Sequence, residues 1–223
     1  RGPSGVDVEP GGRRAFVANE GSNSIAVVDL DAAAVVADVP AGTTPTDVVA
    51  LPGGDAVYVS NRGSDTLTRL DPGTLEAVEI AAGGDQPEGM SASDDGSRLY
   101  VALVGDDAVA EIDTATHAVL RRFAVAAQPR DVALSVDGSR LYVISSFAEA
   151  LTVVDLGSGA VTDRIDVGFQ PRRIARVPDA DRAYISGFQP NSIGVFDAAT
   201  RDVVRILGIG DSPNDVTVGY VRR

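Results

Sequence analysis

The side chains that most often carry catalysis are scarce in this chain. It has one histidine, His117, and no cysteine. His117 lies between Thr116 and Ala118, without an adjacent carboxylate to orient its ring, and we expect it to be a surface residue. Because a serine-type triad requires a histidine base, triad hydrolysis is disfavoured. A zinc site built from histidine and cysteine ligands is excluded within one chain.

Carboxylates are the next candidates, and one group of them recurs at a fixed spacing. Five aspartates lie 42 residues apart: Asp29, Asp71, Asp113, Asp155 and Asp197. They precede turn-forming residues, as in Asp71-Pro72-Gly73-Thr74. A carboxylate at the start of a turn can accept backbone N–H groups two or three residues further along the chain. We therefore interpret this group as turn-stabilising rather than catalytic.

A second group of carboxylates follows recurring prolines and consists of Asp47, Asp131 and Asp215. We expect these side chains to converge on the axis of the fold, where they could hold a hard cation such as calcium. Salt bridges to Arg130, Arg172 or Arg173 are the alternative interpretation, and we favour it. Apart from such a cation, the sequence indicates no cofactor.

A third group combines aromatic, amide and guanidinium side chains in predicted loops and strand starts of the later repeats. Its members are Phe147, Phe169, Phe188, Gln128, Gln170, Gln189, Arg130, Arg172 and Arg173. Together they could line a pocket for a protein, peptide, glycan or small molecule. Alternatively, the phenylalanines fill gaps between adjacent sheets, and the sequence leaves both interpretations open.

A repeat of 42 residues must position these side chains. Prolines recur at this interval: Pro3, Pro45, Pro87, Pro129, Pro171 and Pro213. Each repeat contains four short apolar runs separated by turn residues, including Asp-Gly pairs such as Asp137-Gly138 that favour tight hairpins. The run Leu141-Tyr142-Val143-Ile144 is apolar on both faces, so its sheet must pack between two neighbours. We predict an all-β fold, a β-propeller of four-stranded antiparallel blades.

Five complete repeats and the start of a sixth account for the chain. The predicted blades span about residues 3–44, 45–86, 87–128, 129–170 and 171–212, followed by an extra strand at 213–221. We expect residues 1–223 to form a single propeller domain. The loops that enter each first strand and those that join second and third strands should share one end. We call this end the loop face and expect function there, because these loops differ among the repeats.

The repeated pattern of Pro, Val, Asp-Gly-Ser-Arg-Leu-Tyr-Val and Val-Val-Asp is complete over residues 129–155. It resembles the YVTN family of β-propeller repeats. The resemblance implies a scaffold used by surface-layer, binding and enzymatic proteins, and it favours an extracellular or periplasmic location. Because the commonest ring of that family has seven blades, the chain could be an arc of a six- or seven-bladed ring. An open arc would expose apolar faces and favour self-association.

The charge and hydropathy of the chain argue against several partners. The formal net charge is −13 and the pI is about 4.4. An acidic surface repels phosphate backbones, so we expect no nucleic-acid partner. No apolar run approaches the roughly 20 residues of a spanning helix, so we expect no membrane insertion. No segment of the sequence has the pattern of a signal peptide.

These features lead to two hypotheses about function. We predict a non-enzymatic scaffold that binds partners through the loop face at the mouth of the central channel. The reason is that no acid–base or nucleophile–base pair stands out in the sequence. The alternative is a propeller lyase or lactonase that uses channel-mouth carboxylates, with or without the assistance of a metal ion.

Overall fold

The computed structural model describes residues 2–178, 180–188, 191–207 and 216. The described residues form twenty β-strands in five four-stranded antiparallel sheets. Within each sheet the strands lie side by side in chain order, so short turns join neighbours. The predicted all-β architecture of five four-stranded units is confirmed.

The strand bounds follow the predicted repeats. The first sheet contains β1 (Pro3–Val8), β2 (Arg14–Asn19), β3 (Ser24–Asp29) and β4 (Ala34–Pro40). The second contains β5 (Pro45–Ala50), β6 (Val57–Asn61), β7 (Thr66–Leu70) and β8 (Ala77–Ala81). The third contains β9 (Pro87–Ala92), β10 (Arg98–Leu103), β11 (Ala108–Asp113) and β12 (Val119–Ala124). The fourth contains β13 (Pro129–Leu134), β14 (Arg140–Ser145), β15 (Ala150–Asp155) and β16 (Val161–Asp166). The fifth contains β17 (Pro171–Arg176), β18 (Arg182–Gly187), β19 (Ser192–Asp197) and β20 (Asp202–Leu207).

The recurring prolines mark the beginning of the first strand in every described sheet. A first strand lies at the edge of its sheet, where a residue without an N–H group can be accommodated. A single turn of 3-10 helix at Glu20–Ser22 joins β2 to β3. No helix among the described residues is long and apolar enough to cross a membrane.

The aspartates that recur at the end of each third strand stabilise the turn that follows. Asp113 Oδ1 accepts the N–H groups of Ala115 and Thr116 at 3.2 and 2.9 Å. Asp71 and Asp155 accept equivalent groups in their own turns. These backbone donors hold the pKa of all three carboxyls below its usual value, because they stabilise the ionised form. The interpretation of this group as structural is confirmed.

Two compact units contain these sheets. The first consists of Arg1–Asp106 with Ala110–Arg122, and the second consists of Asp107–Val109 with Phe123–Arg223. In the first unit, one apolar cluster joins the first and second sheets and includes Phe16, Ala18, Ile25, Val27, Val48, Val57, Val59 and Leu70. In the second unit, a cluster joins the fourth and fifth sheets and includes Tyr142, Ile144, Leu151, Val153, Ile174, Ala183, Ile185 and Phe196. The rings of Tyr142 and Phe196 meet edge to face at 5.1 Å.

Part of the sequence-based prediction falls on positions that the structure does not describe. The extra strand at 213–221 lies outside the described residues, apart from Val216. Asp215 and Gln189 also lie outside them.

Candidate functional site

A polar cluster lies at the loop face of the first unit, where β5, β6 and β9 meet. Thr46 and Glu88 each follow the proline that begins a first strand. The pairing of β5 with β6 shifts between Pro45 and Asp47, and the pairing of β9 with β10 shifts at the corresponding place. These β-bulges interrupt the regular alternation of side chains at Thr46 and Glu88. The same shift follows the proline of the other three first strands, so the bulge is a feature of the repeat.

A fully buried hydroxyl connects the strands of this cluster. Ser60, on β6, lies with its Oγ 3.0 Å from Thr46 Oγ1 and accepts the N–H of Asp47 at 3.1 Å. The same Oγ donates to the backbone oxygen of Glu88 at 2.6 Å. One side chain therefore fixes the position of Glu88 relative to the second sheet, and hydrogen-bond networks of this type rigidify the groups they connect.

The Glu88 carboxylate faces a guanidinium group. Arg62 Nε lies 3.8 Å from Glu88 Oε2, and Arg62 Nη2 donates to Gln86 Oε1 at 3.4 Å. The backbone positions the two loops, because Arg62 N–H donates to Thr44 O at 3.0 Å and Asp65 Oδ1 accepts the Gln86 N–H at 2.8 Å. The Glu88 side chain is mostly buried, whereas that of Arg62 is more exposed.

This arrangement can support acid–base chemistry. A carboxylate held in a fixed position can take a proton from a water molecule that reaches it. A guanidinium beside it can stabilise negative charge that develops on a substrate oxygen. We call Glu88, Arg62, Gln86 and Ser60 the Glu88 site.

The Glu88 site was not among the sites predicted from the sequence, although the sequence contains a signal for it. After the first five recurring prolines, the next residue changes from a small hydroxyl side chain to an acid and then to a base: Ser4, Thr46, Glu88, Arg130 and Arg172. Within a repeat of otherwise constant framework, such variation marks a position that is free to specialise. The contact with Arg62 could not be read from the sequence, because Arg62 belongs to the preceding repeat.

The structure gives Asp47 and Asp131 clear contacts with backbone amides of the next sheet. Asp47 Oδ2 accepts the N–H of Met90 at 2.9 Å. Asp131 Oδ2 accepts the N–H of Ile174 at 2.9 Å, and its Oδ1 accepts the N–H of Val132 at 2.9 Å. Each carboxylate thereby connects two successive first strands. No three His, Cys, Asp or Glu side chains within the described ranges lie together in a way that could hold a metal ion.

Asp7 forms a further connection of this kind that the sequence analysis did not predict. Its Oδ2 accepts the N–H of Ala50 on β5 at 2.8 Å, and its Oδ1 accepts the N–H of Val8 at 2.8 Å. Burial raises the pKa of Asp7, and the two amide donors oppose that shift only in part.

The aromatic, amide and guanidinium group of the second unit is only partly brought together. Arg172 lies over the ring of Phe188, 4.9 Å from its centroid, a cation–π contact that orients the guanidinium. Phe147 is 77% exposed, in the loop that joins β14 to β15. Gln128 and Gln170 are exposed, and Arg130 and Arg173 are half-buried on β13 and β17.

Phe169 differs from the other members of this group, because its side chain is fully buried. It belongs to the apolar cluster of the fourth and fifth sheets. Its ring lies against Gly187 and Gly194, where any larger side chain would collide with it. Phe169 therefore fills a gap between sheets and cannot line an open pocket. For this residue, the interpretation of the phenylalanines as gap-filling side chains holds.

His117 is half-buried rather than fully exposed. It occupies a left-handed turn position with φ of 59° between β11 and β12. Its ring meets Tyr58 of the second sheet edge to face at 6.4 Å. Its Nε2 atom is buried and has no hydrogen-bond partner among the described residues.

Comparison with known proteins adds a family match. The sequence model of the family "Lactonase, 7-bladed beta-propeller" matches residues 1–121. The Glu88 site lies within this segment. Comparison with curated protein sequences gives no match.

Several solved structures resemble the chain. Hydrazine synthase of Kuenenia stuttgartiensis is 25% identical, with a TM-score of 0.83 over 96% of this chain and 68% of that one. Inactive H270A virginiamycin B lyase of Staphylococcus aureus, solved with quinupristin, is 15% identical, with a TM-score of 0.82 over 97% and 73%. A streptogramin B lyase is 12% identical, with a TM-score of 0.83 over 97% and 72%. These similarities confirm the predicted β-propeller fold.

Proposed function

Since the chain belongs to the lactonase family of seven-bladed β-propellers, we propose that it is an enzyme that opens a lactone ring by hydrolysis at the Glu88 site. The observation that carries the proposal is the pairing of Glu88 with Arg62 at a strand bulge, inside the segment that matches the family. The family match favours this activity over the non-enzymatic scaffold expected from the sequence. We propose in addition that the repeats themselves are of the YVTN type.

The proposed reaction uses the two charged side chains in complementary roles. The Glu88 carboxylate takes a proton from a water molecule, whose oxygen attacks the lactone carbonyl carbon. Arg62 stabilises the oxyanion that forms. The ring carbon–oxygen bond then breaks, and the proton passes from Glu88 to the leaving alkoxide. The product is the open hydroxy acid.

The remaining members of the site have positioning roles. Gln86 accepts a hydrogen bond from Arg62, which orients the guanidinium. Ser60 holds the backbone of Glu88. Such supporting contacts matter because a misplacement of about 1 Å can reduce a rate by a factor on the order of 100.

Lactone hydrolysis by the whole chain tests the proposal. The assay follows acid release from γ- and δ-lactones in a pH-stat, with and without EDTA to detect any dependence on a hard cation. We expect Glu88→Gln to lower kcat by roughly 10²–10⁴-fold and Arg62→Met by roughly 10²–10³-fold. Glu76→Gln is the matched control, because Glu76 is an exposed glutamate in the turn between β7 and β8.

Isotope labelling separates hydrolysis from a lyase reaction. In H₂¹⁸O a hydrolase places one labelled oxygen in the carboxylate of the product, whereas elimination gives an unlabelled, unsaturated product. Folding of each variant is checked by circular dichroism. Wild-type activity in the Glu88→Gln variant, or no ring opening with any lactone, would contradict the proposal.

Ligand binding at the loop face of the second unit is a second candidate function. The observation that favours it is the exposure of Phe147 near the Arg172–Phe188 pair, since Ser146 donates to the backbone oxygen of Pro171. Exposed aromatic and guanidinium side chains are frequent anchors in binding sites. In a screen of glycans and peptides by calorimetry, Phe147→Ala and Arg172→Ala should each abolish any binding. Val136→Ala, on an exposed turn of the same sheet, is the control. Binding that survives both changes would refute this role.

A further inference from the structure

A cleft lies between the outer strands of the first and second sheets, and its volume is about 400 Å³. Its wall on the first sheet is formed by Val39, Pro40 and Ala41, and the apolar part of its wall on the second by Leu75 and Ala77. Val39 belongs to the apolar cluster that joins the two sheets, and Ala41 and Leu75 pack against that cluster. Cavities of this size with mostly apolar walls are typical of sites that bind small organic molecules.

Two polar side chains of the second sheet complete the lining of the cleft. Thr68 on β7 is 1% exposed, Glu79 on β8 is exposed, and the two are cross-strand partners. The Glu79 carboxylate is held in place, because its Oε2 accepts a hydrogen bond from Thr66 Oγ1 at 3.0 Å. Thr68 Oγ1 accepts the N–H of Gly42 at 3.3 Å, which fixes the loop after β4. The cleft therefore has an apolar body and one end that presents a carboxylate.

A buried acceptor without a partner adjoins this polar end. Asn61 on β6 is fully buried, and its Nδ2 donates to Thr66 at 3.1 Å and to Thr68 at 2.9 Å. Its Oδ1 has no hydrogen-bond partner among the residues that the structure describes. Most buried polar atoms in proteins are satisfied, so an exception requires an explanation. Next to a cleft, the simplest explanation is a bound group that donates hydrogen bonds.

An aromatic side chain fills the corresponding space between the fourth and fifth sheets. Phe169 lies three repeats after Thr43, and its ring is fully buried against Gly187 and Gly194. Gly194 lies three repeats after Thr68, which lines the cleft. Thr43 itself is exposed. The repeat can thus take an aromatic ring between successive sheets at this position, and none of the residues lining the cleft supplies one.

We propose that the cleft is a binding site for a single-ring organic cation of the aromatic amidine or amine class. The ring matches the apolar walls and the place that Phe169 takes between the fourth and fifth sheets. A positively charged nitrogen matches the Glu79 carboxylate, since charge-assisted hydrogen bonds are roughly twice as strong as neutral ones. Its N–H groups are the donors that Asn61 Oδ1 lacks. The net charge of −13 favours the approach of a cation over that of an anion.

Calorimetric titration of the whole chain with benzamidine at neutral pH tests the proposal. Benzamide has the same ring with a neutral amide, and benzoate has the same ring with a negative charge, so the three compounds separate recognition of the ring from recognition of the charge. We expect benzamidine to bind, benzamide to bind roughly tenfold or more weakly, and benzoate to give no measurable binding. Equal affinities for the three compounds, or no binding of benzamidine, would overturn the proposal.

Substitutions on β8 locate the ligand. Glu79→Gln removes the charge and should weaken benzamidine binding roughly tenfold or more. Glu20→Gln, at an exposed glutamate of the 3-10 turn, should leave the affinity unchanged. Ala77→Phe should abolish binding by filling the cleft. Val78→Phe is its matched control, because Val78 is 57% exposed and successive side chains of a strand point to opposite faces.

Circular dichroism and the melting temperature check that each variant is folded. Because Glu79 is exposed, Glu79→Gln should melt as the wild type does, so its loss of binding reports on the cleft rather than on folding. Unchanged affinity in Glu79→Gln or in Ala77→Phe would overturn the proposal. So would a loss of binding in Glu88→Gln, which would place the cation at the Glu88 site.

Discussion

The replacement of Asp131 by alanine should destabilise the second unit by about 2–4 kcal/mol. Asp131 is 6% exposed. It accepts the N–H of Ile174 on β17 and the N–H of Val132 on its own strand, each at 2.9 Å. A hydrogen bond to a charged group contributes roughly 1.5–3 kcal/mol. Truncation to alanine removes both carboxylate oxygens, so the N–H groups of Val132 and Ile174 each lose an acceptor. Both N–H groups lie in a buried region. Water that reaches one of them recovers part of the loss, which brings the expected range below the sum of two such bonds.

The assay is urea unfolding at pH 7, followed by circular dichroism and tyrosine fluorescence. In thermal unfolding, the same loss of 2–4 kcal/mol would lower the melting temperature of a chain of this size by roughly 4–16 °C. Asp131→Asn should recover part of the loss, because its amide oxygen can still accept one of the two N–H groups. Asp7→Ala should have a smaller effect, since Asp7 is only half-buried.

The salt dependence of this loss separates the backbone contacts of Asp131 from the salt bridge to Arg130, Arg172 or Arg173 that the sequence favoured. Bonds to buried backbone amides are little affected by 1 M NaCl, whereas salt bridges to partly exposed arginines are weakened more. We therefore expect the difference between wild type and Asp131→Ala to persist at high salt. A difference below about 0.5 kcal/mol, the scatter expected for a surface change, would refute the proposed contribution of the backbone contacts.

The remaining predictions concern a turn and a packing contact. Hydrogen bonds from the Ser135 hydroxyl and from the backbone N–H and hydroxyl of Ser139 lower the pKa of Asp137 to about 2. Its stabilising contribution should therefore be complete above pH 4 and disappear as the pH falls through about 2, where wild-type and Asp137→Ala melting temperatures converge. A difference that is independent of pH would contradict this. Gly187→Ala should destabilise the chain by about 1–3 kcal/mol, because the added methyl collides with the Phe169 ring. Phe169→Leu in the same chain should restore part of the loss in urea unfolding, and additive losses would argue against the collision.

Much of the fold could be predicted because its causes are local and repeat along the chain. The prolines at 42-residue intervals begin the first strands, and the recurring aspartates stabilise the turns that follow the third strands. A proline or a turn carboxylate acts on the few residues around it, so its effect can be read from the sequence. The alternation of apolar runs and turns gave the number of strands in each repeat for the same reason.

The candidate site depended on contacts between repeats, and there the sequence alone was insufficient. Phe147 and Phe169 both lie in loops that the sequence places at the loop face, yet one is exposed and the other is buried against two glycines of the fifth sheet. Glu88 became a candidate only when Arg62 of the preceding repeat was found beside it. The sequence by itself determined which side chains each repeat carries and the strands that hold them. Only the tertiary structure decided which of those side chains meet. Contacts between sheets join residues from different repeats, and their geometry depends on strand bulges and packing rather than on sequence spacing.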